Sequence, residues 1–230
     1  DIHLREELAV AHRYWSRLFG PLASRNRMAA RSNSQDHSFW VTPKGKFWGA
    51  MRGEDLLEAP GGFSENPVHR VISACFEAKA DTLAVVYVQT PSVEAVCCLA
   101  SGVQCLSEVS SHFFRRVMTV EWEKPNISQE EEIALYRDTI CSITGCVALM
   151  LRGHGICVFG KTIGEAVLHA LALDRTCALQ LKVHGGTPRI PGPEILLREQ
   201  QHNDLVGPAM WRREWRAAKA WLAEHEALDA

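Results

Sequence analysis

The chain has 230 residues, of which 47% are hydrophobic and 23% are charged, and its formal net charge is -2. This length and composition are enough to form one sizeable hydrophobic core. The sequence has no basic stripe that would bind nucleic acid, no apolar run long enough for a membrane span and no signal-peptide pattern. We therefore expect a cytoplasmic protein, one domain over residues 1–230, that binds a small molecule and neither nucleic acid nor a membrane.

The first half of the chain alternates helical and strand patterns. Apolar residues at helical spacing predict a first helix over residues 4–19, and a polar stretch follows from about 23 to 38. The segment "SFWV" then indicates a short strand, and Pro67 suits the first turn of a second helix. Residues 82–88 are apolar nearly throughout, which is typical of a strand covered on both faces.

The second half carries clear helix starts and one tight turn. Three helices have predicted N-caps, which are Thr90, Ser128 and Thr162. Gly153-His154-Gly155 predicts a turn between two strands, since glycine permits backbone angles that other residues avoid. A last helix is predicted at about 208–225, within a C-terminal helical extension over 186–230. This mixed order without repeats predicts a three-layer α/β/α sandwich around a largely antiparallel mixed sheet.

Cysteine usage gives no sign of a metal site. The chain has eight cysteines, most of them in apolar segments such as "VEAVCCLAS", and no Cys-x-x-Cys pair. Such residues behave as small buried hydrophobes in a reducing compartment.

Polar residues cluster at the predicted end of the strand at 82–88. Tyr87 and Gln89 are two residues apart and so project from the same face, where α/β folds build their sites. Glu65 and His69, around a helix start, and His154 in its glycine turn are expected to converge with them. Each has a structural alternative, because a turn histidine often serves only as a hydrogen-bonding group and a glutamate at a helix start favours the helix dipole.

The ordered motifs resemble the class II aldolase/adducin family over nearly the whole chain. They are "LREELAVAHRYWSRL", "FWVTPKGKFWGAM", "FSENPVHRVI", "DTLAVVYVQTPSVEA", "FFRRVM" and "LMLRGHGICVFGKTIGEAVLHALALDRTCALQL". The resemblance implies a nine-stranded α/β/α sandwich, often a tetramer with sites between subunits. Family members include sugar-phosphate aldolases, epimerases, decarboxylases and the head domain of adducin.

The resemblance also implies roles for single residues. In the enzymes, a strand His-x-His and a histidine from a His-Gly turn hold a divalent metal, and a glutamate in Ser-Ser-Glu acts as acid or base. His154 matches the third ligand and Glu65 the acid/base, whereas Tyr87 and Gln89 stand where the two strand histidines would be. A phenol and an amide are poor ligands for zinc-type ions, so we expect no metal and no other cofactor.

The remaining pocket residues are also altered. By the same resemblance, Phe63 replaces the first serine of Ser-Ser-Glu and Lys44 sits just before Gly45 in the phosphate-loop segment. The Gly-Asn pair expected in the first loop is not cleanly present in "LASRNRMAAR", so a sugar phosphate is not expected. Aromatic side chains near the pocket favour a flatter, more apolar ligand, although such residues often belong to the core. The residues predicted to bind substrate are Gln89, His69, Ser64, Lys44, Phe63 and Trp48.

Three functions follow as hypotheses. The first is a metal-independent acid/base enzyme acting on a small apolar carbonyl compound, in which Glu65, Tyr87 and His154 are catalytic. Its reaction would be retro-aldol cleavage, dehydration, decarboxylation or cyclisation, in secondary metabolism. The protein is expected to be a homo-oligomer, either a tetramer or a dimer. The second is a non-catalytic, adducin-like interaction module. The third keeps a metal through rearranged ligands, with His69 or His112 joining His154.

Overall fold

The computed structural model describes residues 1–20, 25–33, 37–62, 64–122, 127–183 and 185–228. These residues form one mixed sheet of seven strands in the order β3-β2-β1-β4-β7-β6-β5, where the resemblance implied nine. Only β5 and β6 pair in parallel, so the predicted antiparallel character is confirmed. The strands are β1 Arg27–Arg31, β2 Phe39–Val41, β3 Leu57–Ala59, β4 Ala84–Val88, β5 Val117–Glu121, β6 Ala148–Arg152 and β7 Gly155–Gly160.

Helices cover both faces of the sheet, which confirms the predicted three-layer sandwich. Helices α2 and α4 pack on one face, and α1, α3, α5 and α6 form the layer on the other. All five residues of β4 are buried between these layers, which explains their apolar character. The helices are α1 Ile2–Phe19, α2 Pro67–Ala78, α3 Pro91–Cys97, α4 Gln129–Cys141, α5 Ile163–Val183 and α6 Pro193–Leu228.

The predicted helix starts are confirmed by their hydrogen bonds. The Thr90 hydroxyl accepts from the amide of Val93, and Ser128 and Glu131 form a reciprocal capping box at the start of α4. Thr162 accepts from the amide of Glu165 at 3.0 Å. Each cap satisfies amide donors that a helix leaves unpaired in its first turn.

Two predicted segments differ in the structure. The polar stretch at 23–38 contains β1, which lies between β2 and β4 and has Met28, Ala29 and Ala30 fully buried. The last helix begins at Pro193 rather than at about 208, and Pro208 lies inside it on an exposed face. Proline is tolerated there because the freed carbonyl on a helix surface can bond water.

Helix α6 is long enough to reach across a bilayer. Neither it nor any other helix in the described part of the chain contains the apolar stretch that a membrane span requires.

Candidate functional site

The tight turn between β6 and β7 lies beside the end of β4, which pairs with the start of β7. Tyr87 pairs with Cys157 across the two strands, and Gly153 in the turn has a φ of +71°. A Cβ on Gly155 would lie 2.7 Å from the Val88 carbonyl oxygen and 2.9 Å from the Tyr87 hydroxyl. The turn therefore needs glycine at both places, for its backbone angles at Gly153 and for close approach at Gly155.

His154 is held by several neighbours at this corner. Its Nδ1 is hydrogen-bonded to the hydroxyl of Tyr87, a residue that is 1% exposed. The Gln89 amide donates to the His154 carbonyl oxygen at 3.1 Å, and the Gln89 backbone N–H donates to Asn26 Oδ1 at 2.7 Å. The ring of Trp122 stacks on the imidazole, with centroids 3.7 Å apart. The structure thus brings Tyr87, Gln89 and His154 together, as the sequence predicted.

The protonation states follow from burial. Burial raises the pKa of Tyr87 far above its ordinary value, and burial lowers the pKa of His154 below its ordinary value of 6.5. At neutral pH the phenol is therefore protonated and the imidazole neutral. The side-chain nitrogen of Gln89, which only donates, also faces Nδ1 at 3.5 Å, so we assign Nδ1 as the acceptor of the phenol and Nε2 as the atom that carries the ring proton.

Charged groups border this pair. Arg27 faces Tyr87 across the β1 and β4 ladder, so both side chains lie on the same face of the sheet. Burial lowers the pKa of His69, and the positive charges of Arg27 and Lys44 lower it further. The carboxylate of Glu94, in the first turn of α3, offsets part of the lowering of the His154 pKa by burial. Arg27 and Glu94 thus bring one positive and one negative charge to this corner.

The loop before α2 holds the predicted acid/base. Glu65 is exposed and Ser64 half-buried; the Ser64 hydroxyl accepts from the amide of Asn66 at 3.2 Å, and the Ser64 carbonyl oxygen accepts from Arg70 at 2.7 Å. These bonds tie the loop to the start of α2. Phe63, predicted to line the pocket, lies outside the described residues. The roles predicted for this loop stay predictions.

Two predicted positions need correction. Trp48 is 2% exposed and packs edge-on against His12 in the core beneath α1, on the opposite face of the sheet from Tyr87. It therefore belongs to the core instead of the substrate pocket. His112 lines a cavity with Thr82 and Gly160, at the ends of β4 and β7 opposite to Tyr87 and His154, so a rearranged metal site that joins it to His154 is wrong.

The family's divalent metal does not fit these side chains. Tyr87 offers a neutral phenol, the Gln89 amide donates to a carbonyl oxygen, and Nδ1 of His154 is already bonded. Within the described ranges, no three His, Cys, Asp or Glu side chains are grouped so that they could hold a metal ion. The donor set therefore lacks the three strong ligands that a zinc-type site needs.

Sequence reasoning missed three of the site's neighbours. Arg27 lies on the strand that the polar stretch concealed, and Trp122 directly follows β5. Glu94 was hidden among the apolar residues of α3, although an acidic residue in a first helical turn beside the strand's end was a usable signal.

Comparisons with known proteins agree with this architecture. The family model described as "Class II Aldolase and Adducin N-terminal domain" matches residues 6–181. Beta-adducin of Rattus norvegicus is 28% identical over 212 residues, which cover 85% of this chain; the chain spans only 28% of the length of that relative.

Two solved structures share the fold. The aldolase II superfamily protein from Pseudomonas syringae superposes with a TM-score of 0.81 at 20% identity, covering 97% of this chain and 93% of the other. L-fuculose 1-phosphate aldolase from Glaciozyma antarctica PI12 gives 0.78 at 19% identity, with 97% and 91% covered.

Proposed function

Because the chain belongs to the class II aldolase and adducin family, we propose that it is a metal-independent enzyme that transfers protons beside the carbonyl group of a small molecule. The observation that carries this proposal is the buried hydrogen bond between Tyr87 and His154. By resemblance, Tyr87 and His154 occupy positions that hold the metal in the enzymes of the family. The reaction type is retro-aldol cleavage, dehydration, decarboxylation or cyclisation.

In this proposal, His154 donates a hydrogen bond to the substrate oxygen, and this bond takes the place of the metal. Tyr87 is too buried to reach a substrate, and its hydroxyl keeps the ring proton on Nε2 by donating to Nδ1. A neutral imidazole that carries its proton on Nε2 would stabilise the developing enolate oxygen by donating a hydrogen bond to it. Tyr87 is thus a positioning residue, and His154 is the group proposed to touch the substrate.

A carboxylate completes the acid/base pair. Glu65 is the base that the resemblance implies, and Glu94 is the carboxylate whose charge acts on His154. Either one would remove the proton beside the carbonyl while His154 stabilises the oxygen. Separate Glu65→Gln and Glu94→Gln variants identify which one acts.

The substrate proposed here carries an anionic group, such as a carboxylate. The apolar pocket expected from the sequence loses Trp48 to the core, and Phe47 is 61% exposed. In contrast, Arg27 and Lys44 place positive charge close enough to His69 to lower its pKa. An anionic carbonyl compound fits this field better than an apolar one.

Proton exchange tests the proposal without knowledge of the natural substrate. Chelator-treated protein is incubated in deuterium oxide with pyruvate, acetoacetate or dihydroxyacetone, and NMR follows loss of the C–H signal beside each carbonyl. We expect exchange by the wild type, a loss of at least about 100-fold in His154→Asn, and no loss in Tyr136→Phe. Absence of exchange with every compound, or its abolition by chelator alone, would overturn the proposal.

A second candidate function is a non-catalytic module. It is favoured by the 28% identity to beta-adducin, and by Tyr87 and His154 satisfying each other's hydrogen bond. A protein partner that co-purifies with the chain, together with no thermal stabilisation by any carbonyl compound, would support it.

We further propose that the chain forms a homo-oligomer, which light scattering after size-exclusion chromatography tests.

A further inference from the structure

A second polar cavity of about 440 Å³ lies at the opposite end of the sheet from His154. It is bordered by Thr82 before β4, Gly160 at the end of β7 and Val147 before β6, and α6 contributes Trp211. The candidate active site lies at the other ends of these strands. Because a five-residue strand is about 17 Å long, the two sites are separate.

Two imidazoles meet in this cavity. His112 is 8% exposed and His169 3% exposed, and their ring centroids are 4.1 Å apart. In both rings the Nε2 atom is buried and has no hydrogen-bond partner among the described residues. Buried polar atoms are nearly always partnered, so two such atoms side by side point to an occupant. Small-molecule sites have volumes of about 300–1,000 Å³, whereas one water takes up about 30 Å³ of the liquid, so the cavity has room for more than a bridging water.

The hydrogen bonding of His169 indicates what the occupant must offer. Its Nδ1 lies 3.4 Å from the carbonyl oxygen of Phe159, an atom that only accepts, so the ring proton is on Nδ1 and Nε2 presents a bare lone pair. Two imidazole nitrogens without a third strong ligand do not suit a zinc-type ion, by the same criterion as at His154. The occupant that fits is therefore a molecule that donates a hydrogen bond to Nε2 of His169.

The two imidazoles bring no charge to the cavity at neutral pH. Burial lowers the pKa of His112 to about 4 and that of His169 to about 3. Both rings are therefore neutral at pH 7, and neither attracts an anion by its charge.

The charged side chains around the two rings balance one another. Arg116 donates to both carboxylate oxygens of Asp204, at 2.8 and 2.5 Å, and Lys161 pairs with Asp81 at 2.9 Å. The lining has as many cations as carboxylates, and they are Lys79, Arg116, Lys161, Asp81, Glu165 and Asp204. A lining without net charge favours an uncharged ligand, because a charged one would leave water without a counter-charge to receive it.

We propose that this cavity binds an uncharged polyhydroxy compound of the size of a monosaccharide, with hydroxyl groups bonded to Nε2 of His112 and Nε2 of His169. A hydroxyl group both donates and accepts, so it donates to the bare Nε2 of His169 and pairs with that of His112 in either tautomer. The half-buried indole of Trp211 supplies an aromatic surface for the C–H groups of such a ring. The site goes beyond the acid/base chemistry proposed for His154 and does not depend on it.

Three sugars that differ mainly in charge test the proposed ligand class. Calorimetric titration of the full chain at pH 7 uses D-glucose, D-glucuronate and D-glucosamine, which are neutral, anionic and cationic. We expect glucose to bind and each charged analogue to bind at least about tenfold more weakly. A cavity that holds only water would bind none of them; that result, or tighter binding of a charged analogue, would overturn the proposal.

Variants of the two histidines locate the binding. His112→Phe and His169→Phe keep an aromatic ring and remove the buried nitrogens, and each should weaken glucose binding about fivefold through the lost hydrogen bond. His154→Gln reports any binding at the candidate active site and should leave the affinity for glucose unchanged. Unchanged affinity in both phenylalanine variants, or a loss in His154→Gln alone, would refute the site.

A measurement on the wild type remains decisive if the phenylalanine variants fail to fold. NMR of the imidazole nitrogens follows their signals as glucose is added to the labelled chain. A hydroxyl bonded to a bare lone pair should shift the Nε2 signal of His169, and that of His112 should shift with it, whereas the signals of His154 should stay in place. No shift at His169, or a shift confined to His154, would contradict the proposal.

Discussion

Replacing Tyr87 with phenylalanine removes one hydroxyl from the candidate active site. The lost hydrogen bond to His154 contributes about 1 kcal/mol, and an orphaned buried acceptor adds about 1–3 kcal/mol. His154 is only half-buried, and the Gln89 amide nitrogen lies 3.5 Å from the same Nδ1 and can replace the phenol in part. We therefore expect the free energy of unfolding to fall by about 1–2 kcal/mol.

The same change should raise the pKa of His154. The phenol donates to the neutral imidazole and so stabilises that form, and its removal favours the protonated ring. Urea unfolding measures the stability, and NMR titration of the imidazole measures the pKa.

Tyr136→Phe is the matched control for this experiment. Tyr136 is also 1% exposed, and its hydroxyl donates to Glu132 at 2.8 Å, away from His154. It should lower stability by a similar amount, about 1 kcal/mol, and leave the pKa of His154 unchanged. An unchanged or lowered pKa in Tyr87→Phe would refute the assigned direction of the hydrogen bond.

Three further predictions concern the turn, buried histidines and a neighbouring charge. Gly155→Ala should lower the free energy of unfolding by about 1–3 kcal/mol, because the added methyl group crowds β4. Gly153→Ala has open space around it but keeps a φ of +71°, so it should lower the free energy of unfolding by about 1 kcal/mol. Equal losses of stability in urea unfolding would contradict this. Burial lowers the pKa of His12 to about 4 and that of His169 to about 3, so the unfolded chain gains protons first as pH falls below 6.5. The free energy of unfolding should then decrease by up to about 1.4 kcal/mol per pH unit for each residue down to about pH 4, and a flat profile would contradict this. Glu94→Gln should lower the pKa of the site imidazole, measured by NMR, since a negative charge is removed; an increase would contradict the contact.

The helices and outer layers could be predicted because their signals are local. Apolar spacing marks one face of a helix, and Thr90, Ser128 and Thr162 each cap within three residues of chain. Strand β1 could not be predicted, because "RMAAR" has no β-branched or aromatic residue. Its place in the sheet is decided by pairing with β2 and β4. The early start of α6 was missed because Pro208 reads as a helix boundary.

For the candidate site, too, the contacts set by local sequence could be predicted, and those set by distant elements could not. Tyr87 and Gln89 share a face through strand periodicity, and glycines marked the turn of His154, so their meeting could be predicted. The neighbours that set their charge come from elements distant in sequence, and no local pattern reports them. The burial of Trp48 was likewise decided by packing against α1.

Tyr87 explains how this corner can remain ordered without the two strand histidines of the enzymes it resembles. A lone histidine in a glycine turn has little to fix its ring, but here the phenol, the Trp122 face and the Gln89 amide hold three different parts of the residue. Removing a metal from such a site would ordinarily leave polar atoms unpaired. Tyr87 and Gln89 pair with His154 instead, and this fixed imidazole is what the hydrogen-bonding role proposed for His154 requires.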